Sequence, residues 1–343
     1  MKYIKFFILS CMMISCSKYN KEIKINNRDI VYCSLYDSIL AYSTFNSKEV
    51  IVENILSNKI QFKRNLKDIC YLKPIIRDSK IYFPVSDEEF ICHDLKSKKT
   101  LWKIKTSNKL CNIQILNNEN LIINIKGIGF RIINIKTGKE KYQLDYVYDK
   151  NCSLPDSSPY QIVSDKNYFY ISSWMCNAIT KYRISNGEQI WKLKLEEATS
   201  VVLVLYKDKL FVGSNYSYES GFIRVIDAKT GKIDYQEKSN FEPRIQPLLK
   251  GDRIIYYTFD SALNEFNISN MSSKKIFKLS EFNDFSGAEM YLLDNEIFFQ
   301  SPNSSIIYQF DLKTNKIKKI GKYEERMISG IYKNKVGKAT PLW

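Results

Sequence analysis

The chain has 343 residues, with 52 Lys+Arg against 37 Asp+Glu (net charge +15) and a single His. Hydrophobic residues make up 44% and aromatic residues 14%, ample for a packed core, so a globally disordered chain is excluded. One His also excludes any multi-histidine metal site.

Met1–Lys5 is short and basic, and Phe6–Ser15 is apolar. That run is shorter than the roughly 20 apolar residues a spanning helix needs, and it suits a secretory leader. The end of the run, Ile14-Ser15-Cys16, resembles the lipobox of bacterial lipoproteins, which implies a lipid on Cys16 and a signal peptide over residues 1–15. Cys11 is the rival position. Residues 16–28 are polar and Lys-rich and read as a tether. Residues 29–343 are left for the fold.

Six cysteines follow: Cys33, Cys70, Cys92, Cys111, Cys152 and Cys176. An exported chain permits disulfides among them, with no pairing legible, and small buried hydrophobes are the other reading. None forms a C-x-x-C, so the commonest zinc and redox spacings are absent.

One phrase recurs about every 45 residues: Asp or Asn, two residues, Ser/Thr/Asn, Gly or Lys, then a strand with an aromatic. A degraded first copy is YSTFNSKEVI at Tyr42–Ile51. Clear copies follow at His93–Trp102 (HDLKSKKTLW), Ile133–Tyr142 (INIKTGKEKY), Tyr182–Trp191 (YRISNGEQIW), Ile226–Tyr235 (IDAKTGKIDY), Phe266–Phe277 and Phe310–Ile320. Asp/Asn followed by Thr-Gly is turn chemistry, so each phrase is a hairpin tip. A second strand pair precedes each tip, as in KPII-RDS-KIYFPV and SVVLVLY-KD-KLFVGS. The strands are rich in Ile, Val, Tyr and Phe, and no segment carries a long helical period.

Four short strands per repeat, about seven times over, predict an all-β fold: a single β-propeller of four-stranded blades. Seven blades are expected, with eight as the alternative. The first unit looks short of an inner strand. The strand-like tail Arg326–Val336 is expected to supply it, closing the ring with a C-terminal strand. Trp102, Trp191, Tyr142, Tyr235 and Phe277 hold the aromatic position and are expected to pack between blades. His93, beside a tip, is expected to be structural.

Tips such as IDAKTGKIDY and YRISNGEQIW resemble the PQQ-like (quinoprotein-type) propeller repeat over about residues 29–325. Quinoprotein dehydrogenases of that kind use a quinone with Ca²⁺ and an adjacent cysteine pair. This chain has no adjacent cysteines, so no cofactor and no metal are expected. Carboxylates propose no catalytic pair and no Gly-rich phosphate loop is present, so the chain reads as a non-enzyme.

In a four-stranded meander the tips and the first turns lie on one face, where lysines such as Lys136, Lys229 and Lys313 gather. The longer loops lie on the other face and carry Tyr148, Trp174, Tyr216, Tyr218 and Phe241. These five residues are the candidate partner- or ligand-binding set. With the lipobox and the size, the pattern resembles the propeller lipoproteins of the outer-membrane β-barrel assembly machine. That resemblance implies a monomeric, lipid-anchored scaffold of the bacterial cell envelope, on the outer membrane, that binds protein partners and no nucleic acid. A small-molecule or glycan receptor is the alternative, and a reduced quinoprotein enzyme the second alternative.

Overall fold

The computed structural model describes residues 30–36, 39–44, 47–54, 57, 59–68, 72–145, 160–173, 177–217, 220–240, 243–258, 260, 262–278, 290–293, 295–300, 306–322, 327–332 and 335–339. Every regular element among them is a strand. The first sheet is β1 (Ile30–Tyr36), β2 (Ile39–Thr44), β3 (Glu49–Asn54) and β4 (Lys59–Asn65). The second is β5 (Ile75–Arg77), β6 (Lys80–Ser86), β7 (Glu89–Asp94) and β8 (Lys99–Lys105). The third is β9 (Leu110–Ile115), β10 (Asn120–Ile125), β11 (Gly129–Asn134) and β12 (Glu140–Leu144). The fourth is β13 (Tyr160–Ser164), β14 (Tyr168–Ser173), β15 (Ala178–Arg183) and β16 (Gln189–Lys194). The fifth is β17 (Ala198–Tyr206), β18 (Lys209–Ser217), β19 (Ser220–Asp227) and β20 (Ile233–Ser239). The sixth is β21 (Pro243–Lys250), β22 (Arg253–Thr258), β23 (Ala262–Asn267) and β24 (Ser272–Lys278). The seventh is β25 (Met290–Leu293), β26 (Glu296–Gln300), β27 (Ile306–Asp311) and β28 (Lys316–Lys322), and a hairpin of β29 (Met327–Tyr332) and β30 (Lys335–Ala339) follows. Each four-stranded sheet is an antiparallel meander in chain order.

Strand periodicity explains how the sheets stack. Successive side chains alternate between faces, so an all-apolar middle strand serves two neighbours at once. On β10, Leu121, Ile123 and Ile125 pack against the second sheet's Tyr82, Phe90 and Trp102. Ile122, between them, packs with Phe169 and Ile171 of the fourth sheet. On β22, Ile254 and Tyr256 join Phe211 and Val225 of the fifth sheet, whereas Ile255 and Tyr257 join Ile297 and Phe310 of the seventh. The same alternation builds the seam between the first and second sheets and that between the fourth and fifth. Full burial of each such side chain is worth about 1.5–3 kcal/mol, so the seams rather than the isolated sheets hold the fold. The result is a β-propeller.

The hairpin tips are built as their sequence predicts. Asn134 Oδ1 accepts the backbone N–H groups of Lys136 and Thr137, each at 3.0 Å. Gly138 N–H returns to the Asn134 carbonyl at 2.9 Å, with Gly138 at φ +69°. Asp227 repeats this with Lys229 and Thr230 at 3.1 and 2.8 Å. The Thr230 backbone and hydroxyl bonds hold the Asp227 carboxyl down at about 2, so the cap stays ionised far into acid. The next residue ties the tip inward. Ile135 N–H bonds the Glu119 carbonyl at 2.8 Å, and Ile184, Ala228 and Leu312 bond Asn167, Asp208 and Asn295 in the same way. Tips and first turns therefore share one face, the tip face. On the other face, the crossing face, strand-to-sheet crossings bond the second turns, as in Thr106 N–H to the Glu88 carbonyl at 2.8 Å.

The repeat's aromatic residue locks one sheet to the next. Trp102 Nε1–H donates to the Ile135 carbonyl at 3.1 Å, and Tyr142 Oη–H to the Ile184 carbonyl at 2.8 Å. Trp191 Nε1–H donates to the Ala228 carbonyl at 3.2 Å. Each ring lies on the tip glycine of the following sheet: a Cβ on Gly138, Gly187 or Gly231 would come within 2.7, 2.6 or 2.9 Å of ring atoms of Trp102, Tyr142 or Trp191. In the Trp191 lock a buried Lys181 also donates to the Ala228 carbonyl, at 2.7 Å, and sits 4.0 Å over the Tyr168 ring. Burial pushes its pKa down against the pull of Asp165, Asp208 and Asp227. Tyr235 packs on Phe266 of the sixth sheet, ring centroids 5.4 Å apart, where Met271 occupies the tip's glycine position at φ +52°. The Tyr235 hydroxyl turns back to Glu237 at 2.9 Å. Phe277 packs against Phe310 of the seventh sheet, ring centroids 5.7 Å apart.

Two sequence expectations are corrected. The first tip is not at Tyr42–Ile51, because Thr44–Lys48 joins β2 to β3 and so lies on the crossing face. The true tip joins β3 to β4, capped by Asn54 Oδ1 accepting Ser57 N–H at 3.0 Å. It stands 40 residues before Asp94, the same spacing as Asp94 to Asn134. Phe62 is then the first sheet's aromatic wedge, tilted against His93 with ring centroids 4.4 Å apart. The first sheet also has its own inner strand, β1, so the C-terminal tail does not complete it. β29 pairs with β30 instead. That hairpin lies against β1 on one side and β25 and β26 on the other, closing the ring as a two-stranded unit.

His93 is structural, as expected: it is buried, with Nδ1 3.5 Å from Thr100 Oγ1, and burial lowers its pKa. Cys92 and Cys111 are thiols, not disulfides. Burial pushes the Cys92 thiol up to about 12, which makes it a small core hydrophobe.

Candidate functional site

Of the sequence-predicted site residues, Cys16, Tyr148, Trp174, Tyr218 and Phe241 lie outside the described residues, and Tyr216 is described only as backbone within β18. The strands that flank these loops all end on the crossing face. What the structure adds is the polar framework at the loop bases on the fifth and sixth sheets.

At the fifth sheet a salt bridge is almost fully removed from water. Arg224 Nη1 bonds Glu197 Oε1, with side-chain exposures of only 5% and 1%. Ser214 Oγ–H donates to the same carboxylate oxygen at 2.6 Å, and Arg224 Nη1 also donates to Ser214 Oγ. Arg224 Nε–H is taken by Gln236 Oε1 at 2.8 Å, and the guanidinium lies 4.8 Å over the Phe222 ring. These groups come from β18, β19, β20 and the crossing before β17, so one network fastens both stems of the loop after Ser217 to the crossing beside it. Asn215, one residue on, has its buried Oδ1 without a partner among the described residues.

At the sixth sheet, Asp260 sits in the turn between β22 and β23. Thr258 Oγ1–H donates to Oδ1 at 2.6 Å, and Lys275 and Lys278 each stand 3.4 Å from Oδ2. Burial pushes this carboxyl up, but the Thr258 bond and the two ammonium groups outweigh it and hold it below the usual range. Across the seam, Glu237 accepts Ser273 Oγ–H at 2.8 Å. Between these groups opens a cavity of about 230 Å³, bounded by Glu237, Asn240, Tyr256, Asp260, Asn264 and Lys275. The segment Glu237–Asn240 leads directly to Phe241. The crossing is legible in the sequence but its acidic and amide lining is not, because Glu237 on β20, Asp260 in a turn and Asn264 on β23 come together only across the folded sheets. Among the described residues, no group of three His, Cys, Asp or Glu could hold a metal ion. No helix there is long and apolar enough to cross a membrane.

No family model matches the chain, and no curated protein matches it in sequence. Solved structures do match in shape. The computationally designed Ika8 protein aligns with TM-score 0.68 at 12% identity, over 92% of this chain and 96% of that one. BamB from Moraxella catarrhalis aligns with TM-score 0.59 at 14% identity, over 79% and 81%. The dihydro-heme d1 dehydrogenase NirN aligns with TM-score 0.66 at 10% identity, over 88% of this chain and 68% of that one. At such identities the likeness is one of fold: the chain shares the β-propeller architecture of BamB and NirN.

Proposed function

We propose that the chain is a non-catalytic lipoprotein of the bacterial envelope that holds protein partners on the crossing face of a rigid propeller, in outer-membrane protein assembly. The observation that carries this reading is the buried Glu197–Arg224–Ser214–Gln236 network under the crossing-face loops. A buried ion pair is a poor source of stability, since desolvation offsets most of its attraction. It does hold loop bases in one geometry, and pre-organised loops lose less ordering entropy when they bind. The aromatic residues Trp174, Tyr216, Tyr218 and Phe241 suit anchoring to a protein surface. Cys16 would carry the lipid and so set the membrane contact. The shared architecture with BamB supports the assembly role by analogy of fold. A small-molecule or glycan receptor is the second reading, favoured by the polar 230 Å³ cavity bounded by Glu237, Asn240 and Asp260.

Affinity capture from detergent-solubilised envelope separates the two. Intact chain should retain a defined protein set, and Trp174→Ala with Tyr218→Ala should lose it with the melting midpoint unchanged. Equal capture by both forms would refute the scaffold reading.

A further inference from the structure

On the tip face, a groove of about 940 Å³ runs between the second, third and fourth sheets. It is distinct from the crossing-face framework, and it is not the general lysine character of the tips. Its walls bring four cations together: Arg77 at the end of β5, Lys141 on β12, Lys166 in the turn after β13, and Arg183 at the end of β15. Arg183 is already paired with Glu188 at 2.9 Å and Arg77 stands 3.7 Å from Asp78, so the cations without an ion-pair partner among the described residues are Lys141 and Lys166. Two carboxylates share the groove. Asp165 is occupied by its own turn, accepting the N–H groups of Asn167 and Tyr168 at 2.7 Å each. That leaves Glu119 as the carboxylate not engaged in capping.

Amides line the floor. The Arg77 guanidinium bonds the exposed Asn118 Oδ1, and no bond to the Asn118 amino group occurs among the described residues. Asn117 spans the seam to the Lys166 carbonyl at 3.0 Å, and Ser164 Oγ–H reaches the Leu116 carbonyl at 2.6 Å. These bonds fix the two turns against each other. Asn120 is only 3% exposed. Its Nδ2 donates to Asn117 Oδ1 at 2.9 Å, while its Oδ1 has no partner among the described residues.

We propose that this groove binds an extended acidic peptide segment of a partner protein. The two unpaired ammonium groups, Lys141 and Lys166, suit carboxylate side chains. The exposed Asn118 amide in the floor suits a peptide backbone, which presents both N–H and C=O groups. The concave shape disfavours a bilayer, whose headgroups meet a flat or convex surface.

The test uses the full chain and a fluorescent peptide of alternating Glu and Ser, read by anisotropy. Vesicles containing phosphatidylglycerol form a second arm. Lys141→Glu with Lys166→Glu should weaken the peptide about tenfold, with binding falling as salt rises and the melting midpoint unchanged. Lys136→Glu with Lys313→Glu, charge reversals on tips outside the groove, should leave peptide affinity unchanged. Equal weakening by both double variants would overturn the site in favour of a diffuse field. Peptide binding unaffected by the groove variant, or vesicle binding lost in its place, would overturn it as well.

Discussion

Gly138→Ala should destabilise the fold by about 2–4 kcal/mol, read as a shift in the urea midpoint. Two costs add at this position. The backbone sits at φ +69°, where any L side chain is strained, and the new Cβ would stand 2.7 Å from ring carbons of Trp102. Trp102 cannot retreat cheaply, because its indole N–H is held by the Ile135 carbonyl and its ring packs among Tyr82 and Phe90. Gly251→Ala separates the two costs. Gly251 has φ +62°, but a Cβ added there would meet nothing within 4 Å. It should lose only the backbone part, about 1–2 kcal/mol. Equal losses at the two glycines would mean that the aromatic lock contributes nothing.

The second large effect concerns the buried network. Arg224→Leu strands the Glu197 carboxylate with Ser214 as its remaining donor in the network, at a cost of about 3–5 kcal/mol. Glu197→Leu combined with Arg224→Leu removes both charges and should recover most of that loss, since paired buried ions add little net stability. If the double variant instead lost the sum of the two singles, the network would be a genuine source of stability, and its loop-holding role would lose its rationale.

Much of the architecture is legible in the chain because two local signals repeat. Alternating Ile, Val and Tyr mark the strands, and Asp/Asn with Thr-Gly marks the tips. The misreadings have physical reasons. Thr44–Lys48 mimics a tip because any tight turn uses the same chemistry: Thr44 Oγ1 accepts Glu49 N–H at 2.8 Å and Lys48 takes φ +46°. The true first tip hides Ile55 and Leu56 between Asn54 and Ser57, so it reads as strand. The tail's strand-like pattern is local, whereas its choice of partner depends on where the ring closes. The Arg224–Glu197 pair spans 27 residues, and the tip-face groove draws on three sheets. No local pattern announces either of them. By contrast, the lock between Trp191 and the tip at Asp227 is half legible: the aromatic position is visible in the repeat, but the carbonyl it binds is not.

The seven four-stranded sheets among the described residues should behave as one cooperative ring, bound tip to neighbour and sealed by the C-terminal hairpin. Native-state hydrogen exchange with peptide-level mass spectrometry tests it most directly, through the tip amides of Leu95, Ile135, Ile184, Ala228, Ile268 and Leu312, each bonded to a first-turn carbonyl. A single ring predicts that all six exchange with one common opening free energy, matching global unfolding. Separate, widely different opening energies for the individual sheets would contradict it.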